Sequence, residues 1–551
     1  MNLTTTINLK KPAGNILLLL TCWAFSLLIY AGHSHARFLD YLDRWAFFYA
    51  QYGFKGILDE YQNVSLLYVY HFFQYLLFRL AGFHGVVWNA VFTLLHALNA
   101  LMAARLFSFY GQKLYPGNAL VGAWLVAALV VISPYQTEVL AWGPTIHYLL
   151  TGFLVLLAVE MTLRFAVTGK MRFAALSAYA FFIGLFTHEM MLMLPLLLFI
   201  VLTVSPRILQ MPERWWLLYT RLGSLLILPV IIFFVSNKYL LGKWIGHYGA
   251  STHLHFSVSG MGSSALKYVA KYLTLASCWP EELKNPFYQF LDTTRAGYLF
   301  AAFCMILFAI IMLRLLWPKV QLMLLFFLLF LSSLLPVLNL YFPYWIPIMG
   351  DRLGYVASLF FSPFLVTLLF LLPRFVRWIL VVLFYAAAGC CLHTHVYAWK
   401  KAGAIATALE QNFPYTEASA IFILALPENY KGAPMYRLTE EKTQPLAENI
   451  KKRTGKDLNG VVYEVVKYNM MAPDDSVSVE IVNDSTLKVT LSAWGRWFWR
   501  YNAGASDYDT DEYSVDVDDL AHSYTIRFKN KKPDALYIYQ TGNTWRKVTG
   551  F

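Results

Sequence analysis

Charge is what this chain has least of. Only 14% of its 551 residues are Asp, Glu, Lys or Arg, where a soluble domain carries about 25%. Cysteine is also scarce. Cys22, Cys278, Cys304, Cys390 and Cys391 are the five, and none forms a CxxC or Cys/His metal spacing, which excludes a disulfide-stapled scaffold and a zinc ribbon. No Walker A, GxGxxG, GxSxG or HExxH pattern occurs, so a nucleotide-driven pump and a zincin have no support. No basic run with interleaved aromatics stands outside the apolar segments, which argues against a nucleic-acid partner. Apolar residues are plentiful instead: 58% of the chain, with a mean hydropathy of +0.50. That composition excludes a disordered or collagen-like chain and indicates a multi-span membrane protein with a soluble piece attached.

The acids show where the soluble piece lies. Residues 1–397 hold 12 of the 32 Asp+Glu and 25 of the 44 Lys+Arg, leaving 20 and 19 for residues 398–551. The first part is therefore +13 and the tail −1, so the net +12 belongs to the apolar part. Spans are expected near 14–32, 86–107, 119–136, 142–163, 172–188, 190–204, 221–241, 297–317, 320–341, 353–372 and 376–396, each close to the roughly 20 residues that cross a bilayer core. The first apolar run, Asn15 to Tyr30, reads as an anchor rather than a signal peptide, because many spans follow it and no small-x-small cleavage site is clear. The run 64–82 contains His71, Gln74 and Arg79 and reads as an interfacial helix.

Charge orients these eleven spans. With the N-terminus inside, the inner loops collect 14 cations against Glu213 and the nearby Glu160, whereas the outer segments of 1–397 hold 11 cations and 10 acids. This is the positive-inside asymmetry, and counting 64–82 as a span would reverse it. The outer face then carries a first loop at 33–85, turns at 133–142, 187–190 and 342–352, a loop at 242–296, and the tail. The expected localisation is a multi-pass integral membrane protein, in a bacterium the inner membrane, with a cytoplasmic N-terminus and a periplasmic C-terminal domain. In the tail, SVSVEIVNDSTLKVTLSAW, YTIRFKN and DALYIYQTGNTWRKV alternate as strands do, with Asn483-Asp484 as a turn. Ala402–Gln411 reads as a short helix and Ala420–Leu426 as a buried strand. The expected fold is thus an all-α polytopic bundle of about eleven transmembrane helices (1–397) with a small C-terminal α+β or β-rich domain (398–551).

Few outer-face residues could do chemistry, so each can be weighed. Asp40 and Asp43 in FLDYLDRW share one helical face at i, i+3. They are either a catalytic carboxylate at the membrane surface or solvated acids paired with Arg37 or Arg44. Glu138 in SPYQTEVLAWGP lies between Pro134 and Pro144, and either lines an outer cavity or starts a helix where the macrodipole favours an acid. His188 and Glu189 in LFTHEMM join two apolar runs with almost no linker. An ionisable pair there is costly unless it faces a cavity or a partner, so function is the default expectation. Asp351 and Arg352 in PIMGDRLGYVAS offer a lipid-phosphate contact through a planar guanidinium, or a local pair. Lys267 and Lys271, one helical turn apart, could meet a phosphate but read more readily as solvated surface. His253-x-His255 and His393-x-His395 lack a third ligand nearby. Trp494, Trp497, Trp499 and Tyr501 either stack on sugars or pack in a core. His96 and Asn99 sit mid-span and should bond another helix. The charged groups gather at one face and not at the midplane, which favours chemistry on the outer leaflet over ion translocation.

At these positions the sequence resembles the GT-C glycosyltransferases, most closely the transmembrane protein O-mannosyltransferases of the TMTC type. Asp40 and Asp43 fall in the first outer loop, where this superfamily keeps its catalytic aspartate. FRLAGFHGVVWNAVFTLLHALNALMAARL (78–106) is similar to the family's Gly, Asn, His-Ala-x-Asn-Ala run through Asn89, His96 and Asn99. SPYQTEVLAW (133–142) is similar to P-x-x-T-E-x-x-A-W, THE (187–189) to a K-E turn, and GDRLGYVAS (350–358) to E-R-x-x-Y-x-x-S. The chain departs at Ile146, Tyr148, His188 and Ala357, and its strand-like tail differs from the family's tetratricopeptide helices. The resemblance implies an inverting transfer of a sugar from a polyprenyl-phosphate donor to a hydroxyl acceptor. Asp40 or Asp43 would be the general base, Asp40 preferred because Arg44 flanks Asp43. Arg352, with His188, would neutralise the leaving phosphate, and Glu138, Glu189 and Asp351 would line the substrate site. No cofactor or metal is expected. The rival readings are a polysaccharide polymerase or ligase, a lipid-linked glycan flippase, and a non-enzymatic scaffold whose tail binds a periplasmic partner.

Overall fold

The computed structural model describes residues 12–31, 53–56, 66–82, 84–210, 215–244, 257–312, 317–340, 342, 344–415, 417–436, 445–458, 460–492, 498–499 and 506–551. They fall into two compact units. One holds the helices up to Thr394, and the other holds His395–Phe551 together with Ile346–Met349.

The first unit is all helical. Among the described residues, seven helices are long and apolar enough to cross a membrane, or nine if two bent pairs each count as one span. The seven begin at Gly85, Gly143, Glu189, Trp216, Pro318, Asp351 and Arg374. The bent pairs are Ala119–Ile132 with Pro134–Ala141, turned by 57°, and Glu281–Leu291 with Thr294–Leu307, turned by 68°. Two shorter apolar helices, Ala13–Ile29 and Met171–Leu185, occupy the remaining two of the eleven expected stretches. The run expected to lie in the interface forms α2 (Tyr68–Ala81), after α1 (Pro12–Ile29). With 14 residues it rises about 21 Å, short of the ~30 Å hydrocarbon core.

Burial sorts the helices into inner and outer ones. The window of Asp351–Phe370 is 89% buried, whereas Trp216–Leu241 and Arg374–Gln411 are each 22% buried. Helices this apolar and this exposed present Leu, Ile, Val and Phe outward, as lipid-facing helices do. The inner helices are tied by polar side chains. Asn99 on α3 (Gly85–Leu114) donates to the Leu149 carbonyl and to the Tyr355 hydroxyl, each at 3.0 Å, and His96 Nδ1 lies 3.0 Å from the same hydroxyl. His96 and Asn99 thus bond neighbouring helices, as expected of mid-span polar groups. Glu160, 4% exposed, accepts on Oε1 from Arg105 at 2.5 Å and Arg164 at 2.7 Å, a buried charge met by two guanidinium groups. Two helices of this unit touch backbone to backbone. In Val258–Thr274, a Cβ on Gly262 would land on the Gly297 carbonyl, and one on Gly297 would land on the Ser259 carbonyl.

The second unit has two sheets. The first runs β11 (Thr544–Lys547), β10, β1, β3, β6 (Phe498–Trp499), with the short β2 (Ala433–Pro434) paired to the end of β1, and the second runs β4, β5, β9, β8, β7 (Tyr508–Asp509). Strand β1 (Ala420–Tyr430) is buried along its whole length and pairs in parallel with β3 (Val461–Met470) and β10 (Leu536–Thr541). A strand covered on both faces reads as a continuous apolar run, which is what AIFILAL is. Helix Pro445–Thr454 links β1 to β3. The second sheet is an antiparallel set opened by the hairpin β4 (Val477–Asn483) to β5 (Thr486–Leu491), turning at Asp484-Ser485, one residue beyond the expected Asn483-Asp484. It continues through β9 (Ser523–Phe528) and β8 (Tyr513–Val517).

Aromatic rings join the two sheets. Phe422 is stacked between Tyr463 at 4.6 Å and Tyr537 at 5.2 Å, its neighbours in register, and meets Phe528 of the second sheet edge-on at 5.1 Å. Such cross-strand and edge-to-face pairs add about 0.5–1.5 kcal/mol each beyond area burial. The expected short helix Ala402–Gln411 is instead the end of a 38-residue helix, Arg374–Gln411. Its helix-forming run has no breaker between the apolar stretch and the tail. The expected boundary at 397/398 therefore falls inside a helix. The side chains of Trp494, Trp497, Trp499 and Tyr501, and the pair His253/His255, lie outside the described residues.

Candidate functional site

Two short 3-10 turns and one broken helix assemble the charged residues of the first unit. After Ala119–Ile132 the chain breaks at Ser133, makes a 3-10 turn at Pro134–Gln136, and resumes as the five-residue helix Thr137–Ala141. Proline has no N–H to continue the helix, so a break before it is expected. This places Glu138 at 0% exposure. Its Oε2 accepts the backbone N–H of Arg352 at 2.8 Å, and its Oε1 accepts the Arg352 guanidinium. The guanidinium also lies over the Trp142 ring, 5.3 Å from its centre. One carboxylate therefore fixes both the main chain and the side chain of Arg352. A buried carboxylate tolerates burial only when so matched.

Asp351 heads the 3-10 turn Asp351–Gly354, entered through Gly350 at φ 82°. Asp351 is 1% exposed and pairs with Lys271. The Lys271 ammonium lies over the rings of Tyr135, at 4.9 Å, and Phe342, at 5.3 Å. The Tyr135 hydroxyl donates to the Lys271 carbonyl at 2.7 Å, and the Tyr272 hydroxyl to the Gly354 carbonyl at 2.9 Å. Burial, then the Asp351 carboxylate, pushes the Tyr272 phenol well above its ordinary value, so it stays a neutral donor. Lys267 pairs with Asp292 at 2.6 Å.

A row of rings adjoins these pairs. His188 precedes the 3-10 turn Glu189–Met193, and its Nδ1 accepts the Met190 N–H at 3.1 Å. In the neutral ring the proton then sits on Nε2. The His147 ring stacks on His188 at 4.8 Å and 10°, and packs edge-on against Tyr70 at 4.9 Å. Tyr70 donates to the Pro144 carbonyl at 3.1 Å, and its ring lies 4.6 Å from His71.

The structure thus brings together Glu138 with Arg352 and His188 with His147, and joins Asp351 to Lys271. Three expectations change. Lys267 and Lys271 are each 6% exposed, so the solvated-surface reading is overturned: both ammonium groups are buried against acids. Asp351 and Arg352 do not pair locally, because each has its own partner on another element. Lys271 joins the site although the sequence favours solvated surface for it over a phosphate contact, and His147 joins it although the sequence singles it out for no role. Lys271 follows Lys267 at one helical turn, and His147 lies five residues after Trp142; neither spacing is a motif. Glu189 is half-buried at the start of its turn. Asp40 and Asp43 lie outside the described residues. Among the described residues no group of three or more His, Cys, Asp or Glu is arranged to hold a metal ion.

No family model matches the chain. No curated protein matches it either.

Proposed function

We propose that this protein is a membrane glycosyltransferase that moves a sugar from a polyprenyl-phosphate donor to a hydroxyl acceptor on the outer face of the membrane. The observation that carries the reading is the pairing of two cations, Arg352 and Lys271, with two buried acids at the ends of apolar helices. Arg352 is the more accessible of the two: its side chain is 23% exposed, against 7% for Lys271. A guanidinium so placed can meet a lipid phosphate with its planar fork. Preorganised charge in a site shielded from water stabilises a leaving phosphate without reorganisation. Asp40 or Asp43 acts as general base, taking the proton from the acceptor hydroxyl as its oxygen attacks the anomeric carbon with inversion; a positioned base contributes roughly 10²–10⁴ in rate. The leaving group departs as polyprenyl phosphate, its charge met by Arg352 with His188 nearby.

The test is transfer from a labelled polyprenyl-phosphate sugar in membranes bearing wild type, Asp40→Asn, Asp43→Asn or Arg352→Ala at equal expression. Loss of transfer in one acid variant and in Arg352→Ala supports the reading and identifies the base. Wild type that transfers from no lipid-linked sugar, with acid variants that still complement a knockout, sinks it in favour of a scaffold or flippase.

A further inference from the structure

A short segment between two apolar helices folds with the second unit. Ile346–Met349 belongs to that unit, although the chain up to Trp345 and again from Gly350 belongs to the first. The segment has no helix or strand of its own. Yet Ile346 is 1% exposed and Ile348 is fully buried. The turn between β1 and β2 holds it there. The Ile348 N–H donates to the Lys431 carbonyl at 3.4 Å. A Cβ on Gly432 would stand 2.7 Å from the Met349 nitrogen and 2.8 Å from Ile346 Cγ2. Only glycine lets the segment lie so close.

The turn itself is strained. Tyr430 pairs with Ala433, which leaves Lys431 and Gly432 as the connection. Both have positive φ, 51° and 88°. A lysine in the left-handed region is uncommon and persists where its surroundings over-determine it, often at places where function sets the backbone. Hydrogen bonds over-determine it here. The Lys431 N–H donates to the Met470 carbonyl at 2.8 Å, and the Gly432 N–H to Asn429 Oδ1 at 2.9 Å. Asn429 in turn donates to Asn469 Oδ1 at 2.5 Å, and both side chains are buried.

At its other end the segment leads straight into the charged site. Only Gly350, at φ 82°, separates Met349 from Asp351. Arg352 then gives its N–H and its guanidinium to Glu138. The chain from Met349 to Arg352 is therefore held at both ends with only Gly350 and Asp351 between. So short a stretch has few soft dihedrals with which to absorb a shift at one end.

We infer that the Lys431–Gly432 turn of the tail is a positioning device for Arg352: by holding Ile346–Met349 it sets where the chain enters the Asp351–Gly354 turn, and so where the guanidinium stands. This gives the tail a role at the charged site, with Gly432 a positioning residue that acts through Ile346 and Met349. The role goes beyond the glycosyltransferase reading and does not need it, because any anion met by Arg352 depends on the same placement.

The test is amide exchange followed by mass spectrometry on the full-length protein in phosphatidylcholine nanodiscs. Wild type is compared with Gly432→Ala, Ile346→Ala and Gly542→Ala. Gly542 lies in the same unit at φ 55° with nothing within 4 Å, so its alanine strains a turn of the tail without touching the segment. The expected result is exchange roughly tenfold faster over residues 350–354 in Gly432→Ala and in Ile346→Ala, and wild-type exchange there in Gly542→Ala. Unchanged exchange over 350–354 in both of the first two variants overturns the inference. Equal acceleration in all three also overturns it, because it reports a general loosening of the tail. Transfer from a labelled polyprenyl-phosphate sugar is read beside it: the first two variants should raise the donor KM more than they lower kcat. Wild type that transfers nothing sinks the glycosyltransferase reading alone, and the exchange result still decides this inference.

Discussion

Replacing Glu138 tests whether one carboxylate clamps the Asp351–Gly354 turn. Glu138→Gln keeps the shape and one acceptor for the Arg352 N–H but removes the charge facing the guanidinium. Hydrogen bonds to charged groups contribute about 1.5–3 kcal/mol. Because the Arg352 side chain is 23% exposed, the lower half of that range applies, about 1.5–2 kcal/mol. Glu138→Ala also strands the N–H that sits 2.8 Å from Oε2, which raises the loss to about 3–4 kcal/mol. The assay is a double-mutant cycle with Arg352→Gln, read by thermal unfolding of the purified protein through tryptophan fluorescence. Across a unit of this size, at about 2.1 cal/mol/K per residue, a coupling of 1.5–2 kcal/mol corresponds to about 2 °C of non-additivity in Tm. If Glu138→Gln and Arg352→Gln lower Tm additively, to within about 0.5 °C, the clamp does not exist as described. Under the proposed function, sugar transfer falls further in Glu138→Ala than in Glu138→Gln, because only the former releases the main chain of the turn.

Other consequences are equally direct. Gly297→Ala puts a Cβ against the Ser259 backbone; no rotamer relieves a backbone clash, so a loss of about 1–3 kcal/mol is expected, read as a lower Tm, while Gly389→Ala, with nothing within 4 Å, costs nothing measurable. Phe422→Leu removes the central ring of the Tyr463–Phe422–Tyr537 stack and its edge contact to Phe528. It should destabilise the second unit by about 2–3 kcal/mol, checked by limited proteolysis of the tail. Asp518 accepts the N–H groups of His522 and Ser523 at 2.8 Å and the Ser523 hydroxyl at 2.7 Å. Partial burial disfavours its charge, yet these donors outweigh that and hold its carboxyl below the ordinary value. Its contribution is therefore present above about pH 4 and fades as pH falls through the lowered range. Asp518→Ala should loosen the β8–β9 turn by about 1–2 kcal/mol at neutral pH, seen as faster amide exchange there, with the difference from wild type shrinking in acid.

Much of the architecture was readable because period and composition speak for it directly. Each of the eleven expected spans falls on an apolar helix, and the alternating runs of the tail form strands, their first hairpin turning within one residue of the expected Asn483-Asp484. The breaks were harder. A bend of 57° after Ile132 is signalled by Pro134, but its angle depends on what Tyr135 and Glu138 find to bond, and those partners are over a hundred residues away. The site was half readable. Scarcity of acids picked out Glu138, Asp351 and Arg352, yet the pairing of Lys271 with Asp351 crosses 80 residues, and no local pattern encodes it. Lys271 looked solvated because lysine usually is. His147 has no spacing signal at all; its place arises from stacking on His188, in the turn before Glu189–Met193. The helix Arg374–Gln411 was misjudged for a simpler reason: hydropathy falls at its C-terminal end while helix propensity does not.

The strand order of the second unit bears on how it is made. Strands of the first sheet alternate along the chain with strands of the other, and the first sheet receives β10 and β11 last. The apolar strand β1, translated more than a hundred residues earlier, waits with one ladder edge open until residues 536–541 arrive. Such long-range parallel pairing is slow to form, and an open apolar edge invites pairing with another chain. Lesions in the final few dozen residues should therefore show themselves as aggregation during biosynthesis, long before any loss at the charged site could be measured.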